Sequence, residues 1–174
     1  MMTSGRTLFG VVFSGFALLG CDSTNPVVAT HLTFASQPSA RVVSAQSLGN
    51  VRVTILSTAG QMVTGTRYQV TISLSASDTA AHLVGTTSVE TTTGVATFPD
   101  LAIVRAGVDF RLVASATDLE SAVSAPFVIV PGPASQLRFD PFAPSTIVVA
   151  SDIPAVVRAT DAGGNTVPDA TNPV

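Results

Sequence analysis

Between residues 31 and 130 apolar and polar side chains alternate in short runs, and clusters of Gly, Pro, Ser, Asp and Thr separate the runs. The clearest run is 68–75, where Tyr68, Val70, Ile72 and Leu74 share one face and Gln69, Thr71, Ser73 and Ser75 the other. Successive side chains of a strand point to opposite faces, so this period of two predicts one buried face and one solvated face. Val51, Val53 and Ile55 alternate with Arg52 and Thr54 in the same way. So do Phe110, Leu112, Ala114 and Ala116 with Arg111, Ser115 and Thr117. Shorter runs at 32–34, 95–98, 101–104 and 123–130, with a weak one at 83–89, supply the remaining strands. Helical periodicity is absent.

Roughly seven or eight strands in about 100 residues is the size of an immunoglobulin-type sandwich. The predicted fold is therefore all-β, an immunoglobulin-like Greek-key β-sandwich over residues 31–130. Its expected core is Leu32, Phe34, Val53, Ile55, Val70, Ile72, Leu74, Phe98, Leu101, Ile103, Phe110, Leu112 and Phe127. Composition agrees, because Val and Thr favour the pleated, half-buried surface of a strand and lose rotamer freedom in a helix. With a single Cys and no Trp, the disulfide and Trp that pin antibody-type sheets are not possible. Burial alone must hold the sheets together, at ~25 cal/mol per Å² of apolar surface removed from water.

One repeat is visible. His31-Leu32-Thr33-Phe34 recurs as Gln136-Leu137-Arg138-Phe139, and Thr58-Ala59-Gly60-Gln61-Met62-Val63 recurs as Asp161-Ala162-Gly163-Gly164-Asn165-Thr166-Val167. Residues 131–174 are accordingly expected to be an incomplete second Ig-like repeat, with strands at 137–139, 147–150 and 156–159. Leu137, Phe139, Phe142, Val156 and Val157 would then have no complete core to enter, and proteases should cut readily after about residue 131. The chain is expected to be part of a longer repeat protein.

Residues 1–20 carry Arg6 and then an apolar run from Leu8 to Leu19. A short positive region ahead of about a dozen apolar residues is the design of a secretory signal, and it falls short of the ~20 residues that a bilayer-spanning helix needs. Its end, Leu18-Leu19-Gly20-Cys21, resembles the lipobox of bacterial lipoproteins. That resemblance implies cleavage before Cys21 and acylation of its thiol, with 21–30 as the lipidated Cys and a short tether. It also accounts for a lone Cys in an exported chain, where a free thiol is otherwise awkward. Leu19 departs from the smaller residues usual at that place. The expected location is the bacterial cell envelope, the outer membrane or cell surface ahead of the inner membrane, with the membrane as partner through the lipid.

The body of the chain resembles the bacterial Ig-like repeats related to the group-one domains of invasin and intimin. The matching residues are Leu32, Phe34, Gln37 and Pro38; the turn around Gly60 and Val63; Leu83 and Gly85; Gly94, Ala96 and Phe98 with Leu101 and Ile103; then Gly107, Phe110, Leu112, Ala114, Ser121, Ser124 and Phe127. Two departures stand out. Ser57 and Gln61 replace the acidic residue and Asn that the family favours around its turn, and Phe110 stands where a Tyr is frequent, which removes a hydroxyl that can tie the corner to the backbone. The resemblance implies a spacer or adhesive role, because such repeats form stalks that carry other domains away from a membrane.

Chemistry adds little to this picture. The eight basic residues are all Arg and are scattered singly against eleven acidic ones, a formal charge of −3, which leaves no electrostatic footprint for nucleic acid. His31 and His82 are far apart in the chain and the Cys is claimed by lipid, so no metal site and no cofactor are expected. No nucleophile elbow, phosphate loop or zinc-protease motif has its residues in place, so the chain is not expected to be an enzyme. The segment from Asp161 to Asp169, Asp-Ala-Gly-Gly-Asn-Thr-Val-Pro-Asp, is oxygen-rich but lacks the ligand pattern of a calcium loop and reads as a Gly-Asn hairpin turn. The hydroxyls of 89–94 could meet a sugar, yet a solvated strand edge is the simpler reading. Two functions remain: an envelope-anchored stalk or adhesin-type module, and a module binding a glycan or a cell-surface protein for a larger enzyme or receptor. The second lacks the exposed aromatic platform that sugar binding uses.

Overall fold

A computed structural model of the protein describes residues 27–139 and 156–168. Leu18, Leu19, Gly20, Cys21, Phe142 and the strand expected at 147–150 lie outside them. The regular elements among the described residues are all strands. They run β1 (Ala29–Ser36), β2 (Arg41–Val43), β3 (Val51–Ser57), β4 (Tyr68–Ser75), β5 (Leu83–Val84), β6 (Ser88–Thr91) and β7 (Val95–Phe98). There follow β8 (Ala102–Ile103), β9 (Gly107–Ser115), β10 (Ala122–Val123), β11 (Phe127–Val130), β12 (Gln136–Phe139) and β13 (Val157–Thr160).

One sheet has the order β1-β3-β7 and the other β2-β11-β9-β4-β6, with β10 also paired to β9. The chain forms β1 and β3 in the first sheet, crosses to β4 and β6, returns to β7 beside β3, and crosses again to β9 and β11. These crossings make the immunoglobulin-like Greek-key sandwich that the period-two runs predict. The opening segment serves both sheets: β1 pairs antiparallel with β3, and after Pro38 β2 pairs parallel with β11, Val42 opposite Ile129. Proline at the switch sacrifices no ladder bond because it has no N–H to give.

Alternation decides the core. Val51, Val53 and Ile55 of β3, Val70 and Ile72 of β4, Ala96 and Phe98 of β7, and Phe110, Leu112 and Ala114 of β9 all point between the sheets and are buried. Phe34 and Leu74, expected in the core, are half-buried and pack against its margin. Leu48, Val42, Val63 and Ile129 belong to it although periodicity does not single them out. The Phe110 ring lies 6.0 Å from that of Phe127, over Gly107, where an added Cβ would come within 2.8 Å of the ring. The Phe110 ring thus packs against a glycine at this corner. Asp109, at φ 58°, falls where the β9–β11 register shifts between Phe110 and Gly107.

Two predicted strands are each divided. The run 83–89 becomes β5, paired with β8, and β6, paired with β4. Gly85 lies between them at φ +102°, its missing side chain admitting the Asp100 carbonyl, to which an added Cβ would come within 2.4 Å. The Asp100 carboxylate then accepts the Thr86 N–H at 3.0 Å and the Thr86 hydroxyl at 2.9 Å. The run 123–130 becomes β10 and β11 because the Ser124 hydroxyl accepts the Leu112 N–H at 2.9 Å and donates to the carbonyl of Ala125, breaking the ladder. Strand β2 is too short to show a period and was not anticipated.

The second repeat repeats the first strand pair. In β12–β13 Leu137 lies opposite Ala159 and Phe139 opposite Val157, as Leu32 lies opposite Ile55 and Phe34 opposite Val53 in β1–β3. Among the described residues no second sheet covers this pair, and Leu137 and Phe139 are 76% and 74% exposed.

Candidate functional site

The turn after β13 is built from its own side chains. Asp161 donates its N–H to the Asn165 carbonyl at 3.0 Å, and its carbonyl accepts the Gly164 N–H at 3.0 Å. One carboxylate oxygen, Oδ1, accepts the N–H groups of Gly163 and Asn165, each at 2.9 Å. Asp side chains favour such turns because they bond backbone groups a few residues on. The turn reading of 161–165 therefore holds. No group of three or more potential metal ligands is present among the described residues.

Hydrogen bonding also corrects the repeat alignment. Ser57 donates its N–H to the Gln61 carbonyl at 2.9 Å and accepts that of Gly60 at 2.9 Å. Ser57, Gly60, Gln61 and Val63 thus answer to Asp161, Gly164, Asn165 and Val167, whereas sequence similarity set Thr58 and Gly60 against Asp161 and Gly163.

This turn is seated on the first repeat. Asn165 Oδ1 accepts the Ala106 N–H at 2.8 Å, and Asn165 Nδ2 donates to the Val104 carbonyl at 2.7 Å and reaches Ser44 Oγ at 3.0 Å. Ser44 Oγ itself donates to the Val104 carbonyl at 2.6 Å. Asp161 Oδ2 accepts the N–H of Gly132, in the segment that joins the repeats, at 2.8 Å. Ser44, Asp161 and Asn165 are all buried. Buried polar groups cost free energy unless they are paired, and these are, so they hold one geometry. The seat is polar, and it fixes the second repeat relative to the end of the first.

Burial works to raise the pKa of Asp161, but bonds from the Asn165 side chain and from the N–H groups of Gly132, Asn165 and Gly163 outweigh it and hold the carboxyl at about 2. Because the folded value lies below the unfolded one, the stabilisation is complete above about pH 5 and is lost as pH falls toward 2, a contribution on the order of 2 kcal/mol. The Asp161 carboxyl carbon is expected to titrate by NMR well below the ordinary range near pH 4. Titration at about 4 would mean that the seat does not form in solution.

The remaining sequence candidates are not brought to this place. His31 pairs locally with the Thr30 hydroxyl at 3.0 Å. His82 is exposed and lines an open groove of about 300 Å³ beside the joint with Ala80, Val84, Val104, Arg105 and Gly163; Arg105 is held there by Asp78 at 2.8 Å. In the run 89–94 the Thr91 hydroxyl is buried, donating to the Val95 carbonyl at 2.9 Å and accepting the Thr93 N–H. Residues 89–91 belong to the edge strand β6, and Thr92 and Thr93 in the turn after it are exposed. No helix among the described residues is long and apolar enough to cross a membrane.

Comparison with known proteins gives partial likenesses only. No protein-family model matches the chain, and no curated protein matches it. Among solved structures, a glycosyl hydrolase family 2 member from Bacteroides cellulosilyticus is similar over 59% of this chain and 14% of its own, at 13% identity and a TM-score of 0.41. Domains 5–6 of the S-layer protein SbsC are similar over 80% of this chain and 65% of their own, at 20% identity and a TM-score of 0.39. A longer piece of the same protein, domains 4–9, gives 83% and 22%, at 20% identity and a TM-score of 0.37. The chain thus spans less than two thirds of the length of each.

Proposed function

We propose that the protein is a lipid-anchored, non-catalytic surface module of the bacterial cell envelope, in which Ig-like repeats joined end to end act as a stalk. The observation that carries this reading is the seat of the 161–165 turn on the first repeat. A flexible string of domains needs no buried polar joint, whereas a spacer that must hold a direction does. The resemblance to the repeats of invasin and intimin supports the same role, and the lipobox-like Leu18-Leu19-Gly20-Cys21 supports the anchor. Several acyl chains, at ~0.8 kcal/mol per buried methylene, would make attachment effectively permanent. Glycan binding draws no support from the first repeat, whose aromatic side chains among the described residues are buried or half-buried.

The test is fractionation of cells expressing the full chain. The wild type should partition with membranes and incorporate labelled palmitate, and Cys21→Ser should do neither. Membrane partition and labelling that persist in Cys21→Ser would place the anchor elsewhere and overturn the lipid anchor at Cys21.

A further inference from the structure

We propose that the seat on the first repeat discriminates between turns: it admits one carrying Asp, Gly and Asn at the places of 161, 163 and 165, and it excludes the first repeat's own turn at 57–61. The inference deepens the stalk reading and rests on it in supposing repeats in series.

The two turns have one backbone. Besides the closing bonds already described, Val63 donates to the Ile55 carbonyl at 3.0 Å as Val167 does to that of Ala159 at 2.9 Å. Gly60 and Gly164 share a left-handed conformation, at φ 73° and 81°. A difference in docking must therefore come from side chains. At the three places that meet the seat, Ser57 stands for Asp161, Ala59 for Gly163 and Gln61 for Asn165.

Each difference works against docking. A Cβ at Gly163 would lie 2.8 Å from Val104 Cγ1 and 3.1 Å from the Val104 carbonyl oxygen, so the methyl of an Ala59-like residue collides with the wall of the seat. The amide of Asn165 meets Ala106 and Val104 at 2.8 and 2.7 Å; a glutamine amide would overshoot by one carbon–carbon bond, about 1.5 Å, more than hydrogen-bond geometry tolerates. The Asp161 carboxylate accepts from three backbone N–H groups and the Asn165 amide. A serine hydroxyl has neither the reach nor the charge, and among the described residues Ser57 Oγ accepts the Gln61 N–H alone, at 3.3 Å. The joint is therefore directional. The partner that fits the Ser44–Val104–Ala106 surface is the Asp-Gly-Asn turn of a following repeat, and the first repeat can receive such a neighbour without being received by a seat of the same kind.

Amide hydrogen exchange on the full chain tests this, with Gly163→Ala and with the triple variant D161S/G163A/N165Q, which writes the first turn into the second. In the wild type the N–H groups of Ala106 and Gly132 should be protected. In both variants their exchange should accelerate by at least about tenfold, while the β3 and β9 amides keep wild-type rates. The N–H groups of Gly164 and Val167 should stay protected in the triple variant, since the turn at 57–61 closes with the same bonds. Adding Val104→Ala to Gly163→Ala should restore part of the lost protection by removing the methyl that the new Cβ strikes. Protection at Ala106 and Gly132 that survives in the variants, or that Val104→Ala fails to recover, overturns the discrimination. Absence of protection in the wild type itself would instead overturn the stalk reading.

Discussion

Phe98→Ala is expected to lower the unfolding free energy of the first repeat by about 3–5 kcal/mol, a large fraction of the stability of an ordinary domain. The ring is fully buried at the end of β7, opposite Val51 of β3. Its removal forfeits the transfer free energy of the ring and leaves a cavity that the neighbouring strands, fixed by their ladders, fill only in part. No disulfide shares the burden, so the loss falls on burial directly. Urea unfolding of the full chain should show the midpoint falling with little change in slope. A shift of less than about 1 kcal/mol would mean that the β7 register is displaced by one residue, turning Thr97 inward in place of Phe98.

Asn165→Ala is expected to open the joint between the repeats. The substitution strands the half-buried Ala106 N–H and removes a donor from the Asp161 carboxylate, at a cost of about 2–4 kcal/mol for groups left without partners. That corresponds to a roughly 30-fold or greater rise in the open population, with the first repeat unaffected. Limited proteolysis reads this population when opening is fast relative to cleavage. Cutting in the segment after residue 131 should accelerate, and the core before it should stay resistant. An unchanged cutting rate would show that the joint contributes nothing to order in that segment.

The exposed face of β12–β13 agrees with the expectation that Leu137, Phe139 and Val157 have no complete core to enter. The docking on the first repeat of the turn that follows them was not part of that expectation. A two-stranded pair with an apolar face that no other sheet among the described residues covers is a marginal structure in water, and here its far end is held by the buried bonds of Asp161 and Asn165. Protection in the second repeat should therefore be concentrated at the turn rather than along the strands.

Period-two alternation was enough, read from the chain alone, to place β3, β4, β7 and β9 and to choose their buried faces, because each residue's side of the sheet follows from its parity and one face had to be apolar. The recurrence of Leu32 and Phe34 as Leu137 and Phe139 placed the strand β12, while its register against β13 came from the structure. Leu48 was not legible, since it enters the core from a loop of Ser, Gln and Gly where no period marks it. The breaks at Gly85 and Ser124 were not legible either, because each depends on a backbone group brought alongside by the sheet. The joint lay furthest from view. Asn165 meets Ala106 from 59 residues away, Val104 from 61 and Ser44 from 121, and two of those three partners are backbone groups. A peptide N–H or carbonyl is the same in every residue, so only the folded first repeat, by presenting the Ala106 N–H and the Val104 carbonyl beside Ser44, could decide that a turn of Asp, Gly and Asn would become a coupling between repeats.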